Sequence, residues 1–214
     1  MPSTLPSNAS VAAKPPDHAG AVAYALERLA RELPAGLSYH TAAHTADDVL
    51  PAARRLARLA GVSEGETGLL EVAAAFHDLG YINTHAGHEA ASVEIMRQVL
   101  PEYGFCPGSI ARLAGLVMTT CMPQTPRDEL EQLMADADLD VLGRDDFLPT
   151  SIALWREQAT LGRNIAWPDW LQSQLKFLQN HRYFTTVARR LRDAGKAANI
   201  ALVERMIREE TGPE

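Results

Sequence analysis

The apolar residues along the chain recur at helical spacing, and no stretch shows the alternation typical of a strand. In residues 19–33 they fall on one face, and Pro34 follows as a helix stop. Ser63 and Glu66 have the spacing of a capping box at the start of another helix. The same patterns predict further helices at residues 37–60, 88–100, 107–120, 127–142, 146–161, 168–180 and 184–210. Because Ala and Leu dominate over β-branched residues, the predicted fold class is all-α.

Length and composition predict a single domain with additions at both ends. The chain has 214 residues, of which 46% are hydrophobic, and this is enough for one core. Residues 1–17 are rich in Pro, Ser and Ala and are predicted to be a disordered N-terminal tail. Residues 18–145 are predicted to form the core, and residues 146–214 to add C-terminal helices that pack on the same domain. Gly195 is expected to weaken the last helix.

Charge and cysteine content narrow the choice of partners. The net charge of −7 argues against a nucleic acid or an anionic membrane surface as the main partner. Cys106 and Cys121 are too few for a disulfide framework or a thiolate metal cage, so a reducing cytoplasm is the expected location. No apolar run reaches the roughly 18 residues of a membrane helix. The oligomeric state is left open.

A small apolar run, residues 73–76, leads directly into His77 and Asp78, and Gly80 follows as the expected helix stop. Burying an unpaired carboxylate is costly, and a bound metal ion offsets that cost. The alternative is a hydrogen-bonded His–Asp pair at the end of a helix. Other residues that can bind a metal also occupy unusual positions: His40, His44, His85, His88, Asp136, Asp138 and Asp140.

Nitrogen and oxygen ligands from several helices can form an octahedral site with positions open to water. Such a donor set suits Mn, Fe, Co, Ni, Zn or Mg and excludes a thiolate site. An ion of this kind lowers the pKa of a bound water and polarises a phosphoryl oxygen.

Helical phase distinguishes the three aspartates of the segment at 136–140. Asp138 lies beside the apolar face of its predicted helix, whereas Asp136 points furthest from it. Asp140 has Arg144 four residues later, which predicts a solvated ion pair. Asp138 is therefore the predicted ligand, and Asp136 is the alternative.

Four of these residues occur in the order of a known signature: His44, His77, Asp78 and Asp138. Their order on successive helices resembles the H…HD…D signature of the HD-domain superfamily of metal-dependent phosphohydrolases. Residues 39–44 resemble the YHxxxH segment of the cyclic-nucleotide phosphodiesterases within that group. Residues 135–143 are similar to a segment of many small bacterial HD proteins, and the whole resemblance covers roughly residues 37–143.

The resemblance implies an HD-domain-like helical bundle around one divalent ion, with the C-terminal helices as an addition. It implies that the four signature residues, His44, His77, Asp78 and Asp138, are the metal ligands. Relatives with two metals have two further histidines before the last aspartate. No His occurs between residues 89 and 136 here, and Thr119 and Thr120 stand about where a late ligand is expected. One metal is therefore expected rather than two.

The resemblance also suggests which residues carry the chemistry. His88 follows the HD pair as a catalytic His does in some relatives, and His40 matches a proton donor to the leaving oxygen. The alternatives are a core histidine for His88 and a hydrogen-bonded surface histidine for His40. Asp78 is counted as catalytic as well as a ligand. His85 and Arg144 are lesser candidates for substrate binding.

The resulting prediction is a metal-dependent phosphohydrolase that uses a metal-activated water on a small phosphorylated substrate. The family implies that this substrate is a nucleotide. The first alternative is a non-catalytic HD module that binds a nucleotide or a partner protein as a sensor, which has no need of four intact ligands. The second is a di-iron HD oxygenase, against which the missing late histidines count.

Overall fold

Nine α-helices make up most of residues 15–210, the part of the chain that this computed structural model describes. They are α1 (His18–Glu32), α2 (Leu50–Ala60), α3 (Glu64–Phe76), α4 (His88–Val99), α5 (Pro107–Met118), α6 (Glu129–Asp138), α7 (Phe147–Thr160), α8 (Trp167–Asn180) and α9 (Thr186–Glu210). A π-helical turn spans His44–Val49, and 3-10 turns span Leu79–Ile82, Leu100–Tyr103 and Asp140–Gly143. Residues 15–210 contain no strand, so the all-α prediction is confirmed.

The predicted disordered tail falls mainly on residues 1–14, which lie outside the described residues. Asp17, the last residue assigned to that tail, accepts a hydrogen bond from the backbone N–H of Gly20 at 2.8 Å and so caps α1. The division into tail, core and C-terminal helices stays a prediction.

Helix α3 lies at the centre of the bundle, where it packs against α1, α2, α5 and α6. The predicted capping box is present at its start, with Ser63 and Glu66 each bonded to the other's backbone N–H. From residue 72 to residue 76 every side chain is fully buried. A helix that is covered on all sides is apolar on all sides, which explains this run. His77 and Asp78, which directly follow α3, are buried as well.

The helix predicted for residues 37–60 is wrong over residues 37–41, and helical structure begins at residue 42. Residues 38–41 form bends, and the π-helical turn begins at His44. In that turn the N–H of Leu50 bonds the carbonyl of Thr45, five residues earlier. Pro51 lacks an N–H, and its ring would clash with the carbonyl four residues before it, so a widened turn relieves the strain. The π-helical turn also changes which side chains face the interior relative to α2, and the His44 side chain is buried.

Two glycines have roles that differ from the predicted ones. Helix α3 ends at Phe76, before Gly80, so Gly80 does not stop it as predicted. A Cβ at Gly80 would instead overlap the carbonyl oxygen of His88. Helix α9 runs unbroken through Gly195, so the expected weakening there is wrong. A Cβ at Gly195 would overlap the carbonyl oxygen of Gly143, because α9 crosses the 3-10 turn Asp140–Gly143 at this point.

Gly195→Ala is expected to destabilise the fold by about 1–3 kcal/mol, because the backbone at Gly143 must shift to admit the methyl group. Gly65→Ala is the matched control, since Gly65 lies in helix α3 with open space around it. The control should raise stability by up to about 1 kcal/mol through helix propensity. Urea unfolding midpoints give both values, and equal effects of the two variants would contradict the close crossing.

Candidate metal centre and its pocket

His77 and Asp78 lie where α3 ends, inside the bundle. The Nδ1–H of His77 donates to the carbonyl of Ala74 at 2.8 Å, and this leaves Nε2 as the free ring nitrogen. Nε2 of His77 and Oδ2 of Asp78 are 3.2 Å apart. Both atoms are buried without a hydrogen-bond partner. Buried polar atoms are nearly always bonded, so this pair has the character of ligand atoms.

Two further side chains approach the same point from other elements. Nε2 of His44, in the π-helical turn, lies 3.8 Å from Oδ2 of Asp78. Oδ1 of Asp138, at the end of α6, lies 3.5 Å from Nε2 of His77. Ligand atoms of His44, His77 and Asp138 all fall within 4.8 Å of one another. Atoms bound about 2.1 Å from one ion are about 3 Å apart when adjacent, so His44, His77 and Asp138 form a candidate site for a divalent ion, and Asp78 lies beside His44 and His77.

Charge within this group is strongly coupled. Burial disfavours the charged form of both His77 and Asp78, but each stabilises the other. The pKa of His77 is raised to about 9, and the pKa of Asp78 is held well below its usual range. Asp78 therefore keeps the negative charge that a metal ligand needs, and an ion that binds His77 takes the place of a proton.

Asp136, Asp138 and Asp140 contact different groups in the structure. Asp136 is fully buried and accepts the backbone N–H groups of Phe184 and Thr185, at 2.8 and 2.9 Å, just before α9 begins. Asp138 alone of the three faces His77. The structure therefore places the predicted ligand Asp138 at the site, and the alternative Asp136 anchors α9 instead.

The solvated Asp140–Arg144 pair predicted from helical spacing is wrong. Asp140 is buried and pairs with Arg55 at 2.7 Å and with Arg192 at 2.8 Å. Helix α6 ends at residue 138, so the spacing of an α-helix does not extend to Arg144. Arg144 pairs instead with Asp48, at 2.5 Å, and with Asp146.

Arg144 does not line the pocket beside the ligands, although the sequence suggested it for substrate binding. Its partner Asp48 has its other oxygen 3.9 Å from Nδ1 of His44. The contact with His44, and after it the contact with the Arg144 guanidinium, lowers the pKa of Asp48 against the effect of burial. Arg144 therefore contacts the site only indirectly: it pairs with Asp48, and Asp48 lies beside His44.

His40 is held by a residue that the sequence analysis missed. Glu157 of α7 is fully buried and accepts three backbone N–H groups through Oε2: Ser38 at 3.0 Å, Tyr39 at 2.8 Å and His40 at 3.0 Å. Its other oxygen, Oε1, bonds Nδ1 of His40. Residue 40 lies in a bend and not in a helix, and the ring centroids of His40 and His44 are 6.2 Å apart.

A signal for Glu157 was present in the sequence. Glu157 follows Thr150 and Leu154 at helical spacing, on the side of α7 that turns toward the pocket. An acidic residue in phase with that face needs a buried partner. The partner, the loop around His40, is 117 residues away along the chain and could not be read from local spacing.

His88 completes the polar end of the pocket. Its Nε2 lies 3.3 Å from Oδ1 of Asp78, and its Nδ1 lies 3.2 Å from the carbonyl of His85. Tyr81, also missed from the sequence, stacks on His88 at 4.1 Å and on His40 at 4.4 Å between ring centroids. His85 does not line the pocket, and its ring meets the edge of Tyr81. The two predicted proton donors, His40 and His88, therefore both line the pocket, with their ring centroids 6.1 Å apart. The predicted substrate-binding residue His85 lies outside the lining.

The pocket beside these residues has a volume of about 280 Å³. Its polar end is formed by His40, Asp78, His88 and Asp138, and Met122 is the exposed residue of the lining. Its other end is apolar and is lined by Leu139, Val141, Leu142, Phe147, Leu154 and Phe177. Thr120 also lines the pocket, and its hydroxyl donates to the carbonyl of Val117 at 2.8 Å.

Within residues 15–210, none of the helices has the length and hydropathy that crossing a membrane requires. A search of curated proteins found no match, and a search of solved structures found none either. The family model described as HD domain matches residues 17–140. This range is more than half of the chain and contains all four predicted ligands. HD-domain proteins are generally metal-dependent hydrolases, and they usually bind divalent metals. The chain belongs to the HD-domain family.

Proposed function

We propose that this HD-domain protein is a metal-dependent phosphohydrolase that acts on a small phosphorylated substrate. The convergence of His44, His77, Asp78 and Asp138 beside a pocket carries the proposal. Unpartnered ligand atoms on two of them support a metal site rather than a hydrogen-bonded His–Asp pair. A divalent ion held there would supply a water of lowered pKa and a polarised phosphoryl oxygen.

The chain itself supplies a proton for the leaving oxygen. Nδ1–H of His40 donates to the Glu157 carboxylate, so Nε2 is the nitrogen left to hold a proton at the pocket. The buried Glu157 carboxylate fixes the orientation and the tautomer of the His40 ring, as a positioned proton donor requires. Nε2 of His88 is directed at the ligand Asp78 instead. We therefore assign proton donation to His40, and His88 positions Asp78.

Hydrolysis accounts for these features better than the two alternatives. A module that only binds a nucleotide or a partner has no need of a His40–Glu157 pair at the pocket. A di-iron oxygenase needs further ligands, and the lining residue at the corresponding place is Thr120. The nucleotide that the family implies stays a prediction.

Asp138→Asn is expected to weaken metal binding about tenfold or more and to reduce phosphate release in parallel, because a charged ligand is lost. Asp136→Asn is the matched control two residues away. It should lower stability, since Asp136 anchors the start of α9, but keep the metal. Elemental analysis measures the metal content of both variants, and thermal unfolding measures their stability. Metal loss in Asp136→Asn alone would make Asp136 the ligand in place of Asp138.

Glu157→Gln is expected to lower kcat about a hundredfold or more while metal content stays at the wild-type level, because an amide holds the His40 ring and the backbone N–H groups around it less strongly than a carboxylate does. Glu209→Gln, on the exposed end of α9, is the control for losing a carboxylate. Steady-state kinetics and elemental analysis on the same samples make the test. Unchanged kcat in Glu157→Gln would rule out the role given to His40.

A further inference from the structure

Apart from Leu139, the apolar end of the pocket comes from the part of the chain beyond the family match. Phe147 and Leu154 lie seven residues apart on one face of α7, and Phe177 approaches from α8. All three follow residue 140, the last residue that the HD-domain model matches. The family signature therefore says nothing about the substrate group that this wall accommodates.

Few polar groups at this end are free to bind a ligand. The hydroxyl of Thr150 donates to the carbonyl of Asp146 at 2.7 Å, and the Ser151 hydroxyl accepts Nε1–H of Trp170 at 3.1 Å. The side chain of Gln174 makes no hydrogen bond with other described residues, so its amide is free to bind a ligand. A nucleobase buried here would leave most of its donors and acceptors unpaired, and each of them would lose its bond to water.

The lining also lacks the cations that bind polyphosphates. Among the described residues no Lys or Arg lines the pocket, whereas Asp78, Asp138 and Glu89 each contribute a carboxylate. Glu89 pairs with no Lys or Arg in the described part of the chain, and its Oε2 lies 3.6 Å from Nδ1 of His88. Sites for nucleoside polyphosphates compensate several negative charges with Arg, Lys and metal ions. The lining therefore offers two histidines and a candidate metal site to a phosphate group, which favours a substrate with one phosphate over a polyphosphate.

We propose that the substrate is a monoester of phosphate with an apolar alkyl or aryl group, in which the phosphate meets the metal end and the organic group meets Phe147, Leu154 and Phe177. This inference rests on the proposed function. A water oxygen forms a bond to phosphorus, and the bond between phosphorus and the ester oxygen breaks. The leaving oxygen takes the proton from His40, and the attacking water returns one. The products are inorganic phosphate and an apolar alcohol.

Binding of non-hydrolysable phosphonates isolates the role of the apolar wall. Benzylphosphonate should bind the metal-loaded full chain roughly ten- to hundredfold more tightly than methylphosphonate, because only its ring reaches the wall. Phe177→Ala and Leu154→Ala, on two different helices, should each remove much of this ratio. Leu191→Ala, a partly exposed site on α9, should leave it unchanged. Equal binding of the two phosphonates to the wild-type chain would overturn the proposal.

Turnover then separates this inference from the function on which it rests. Hexyl phosphate and 1-naphthyl phosphate should have kcat/KM values at least tenfold above those of AMP and ATP. A preference for AMP or ATP would overturn the apolar substrate and keep the phosphohydrolase. No phosphate release from any of the four, with the benzylphosphonate preference intact, would overturn hydrolysis and keep the ligand class.

Discussion

The burial of His77 and Asp78 at the end of α3 is the constraint on which the rest of the structure depends. The last turns of α3 are enclosed by neighbouring helices, so the two side chains that follow them are almost completely buried and are open only to the pocket. A buried charge costs several kcal/mol unless it is paired, and here His77 and Asp78 stabilise each other's charge, although Nε2 and Oδ2 have no hydrogen-bond partner. Hydrophobic packing of the apolar run thus holds two ligand atoms in place in an arrangement that a divalent ion would stabilise.

The other elements support this pair from outside the central helix. The π-helical turn before Pro51 brings His44 to it, and α6 ends at Asp138 so that its carboxylate faces the same point. The C-terminal helices are tied in through buried carboxylates: Asp136 holds the start of α9, and Glu157 of α7 holds the loop around His40. Helix α7 serves both ends of the pocket, because it also supplies part of the apolar wall.

The sequence predicts what depends on short spacing and fails where partners are distant. Apolar periodicity and the Ser63 capping box located α3, and helical phase favoured Asp138 over Asp136. Helical spacing predicted the wrong partner for Asp140. Helix α6 ends at Asp138, so residues 140 and 144 do not follow the spacing of an α-helix. The sequence analysis missed Glu157 because its partner, the loop around His40, is distant along the chain. It missed Tyr81 because the rings of His40 and His88 come together around Tyr81 only in the folded bundle.

Metal content measured by elemental analysis on protein purified without a histidine tag or chelator tests the central claim most directly. The site predicts about one divalent metal ion per chain, lost in Asp78→Ala with the helical fold retained. Two ions per chain would contradict the single site and revive the di-iron alternative. No metal in either protein, before or after incubation with Mn, Fe, Co, Ni, Zn or Mg, would contradict a metal centre altogether.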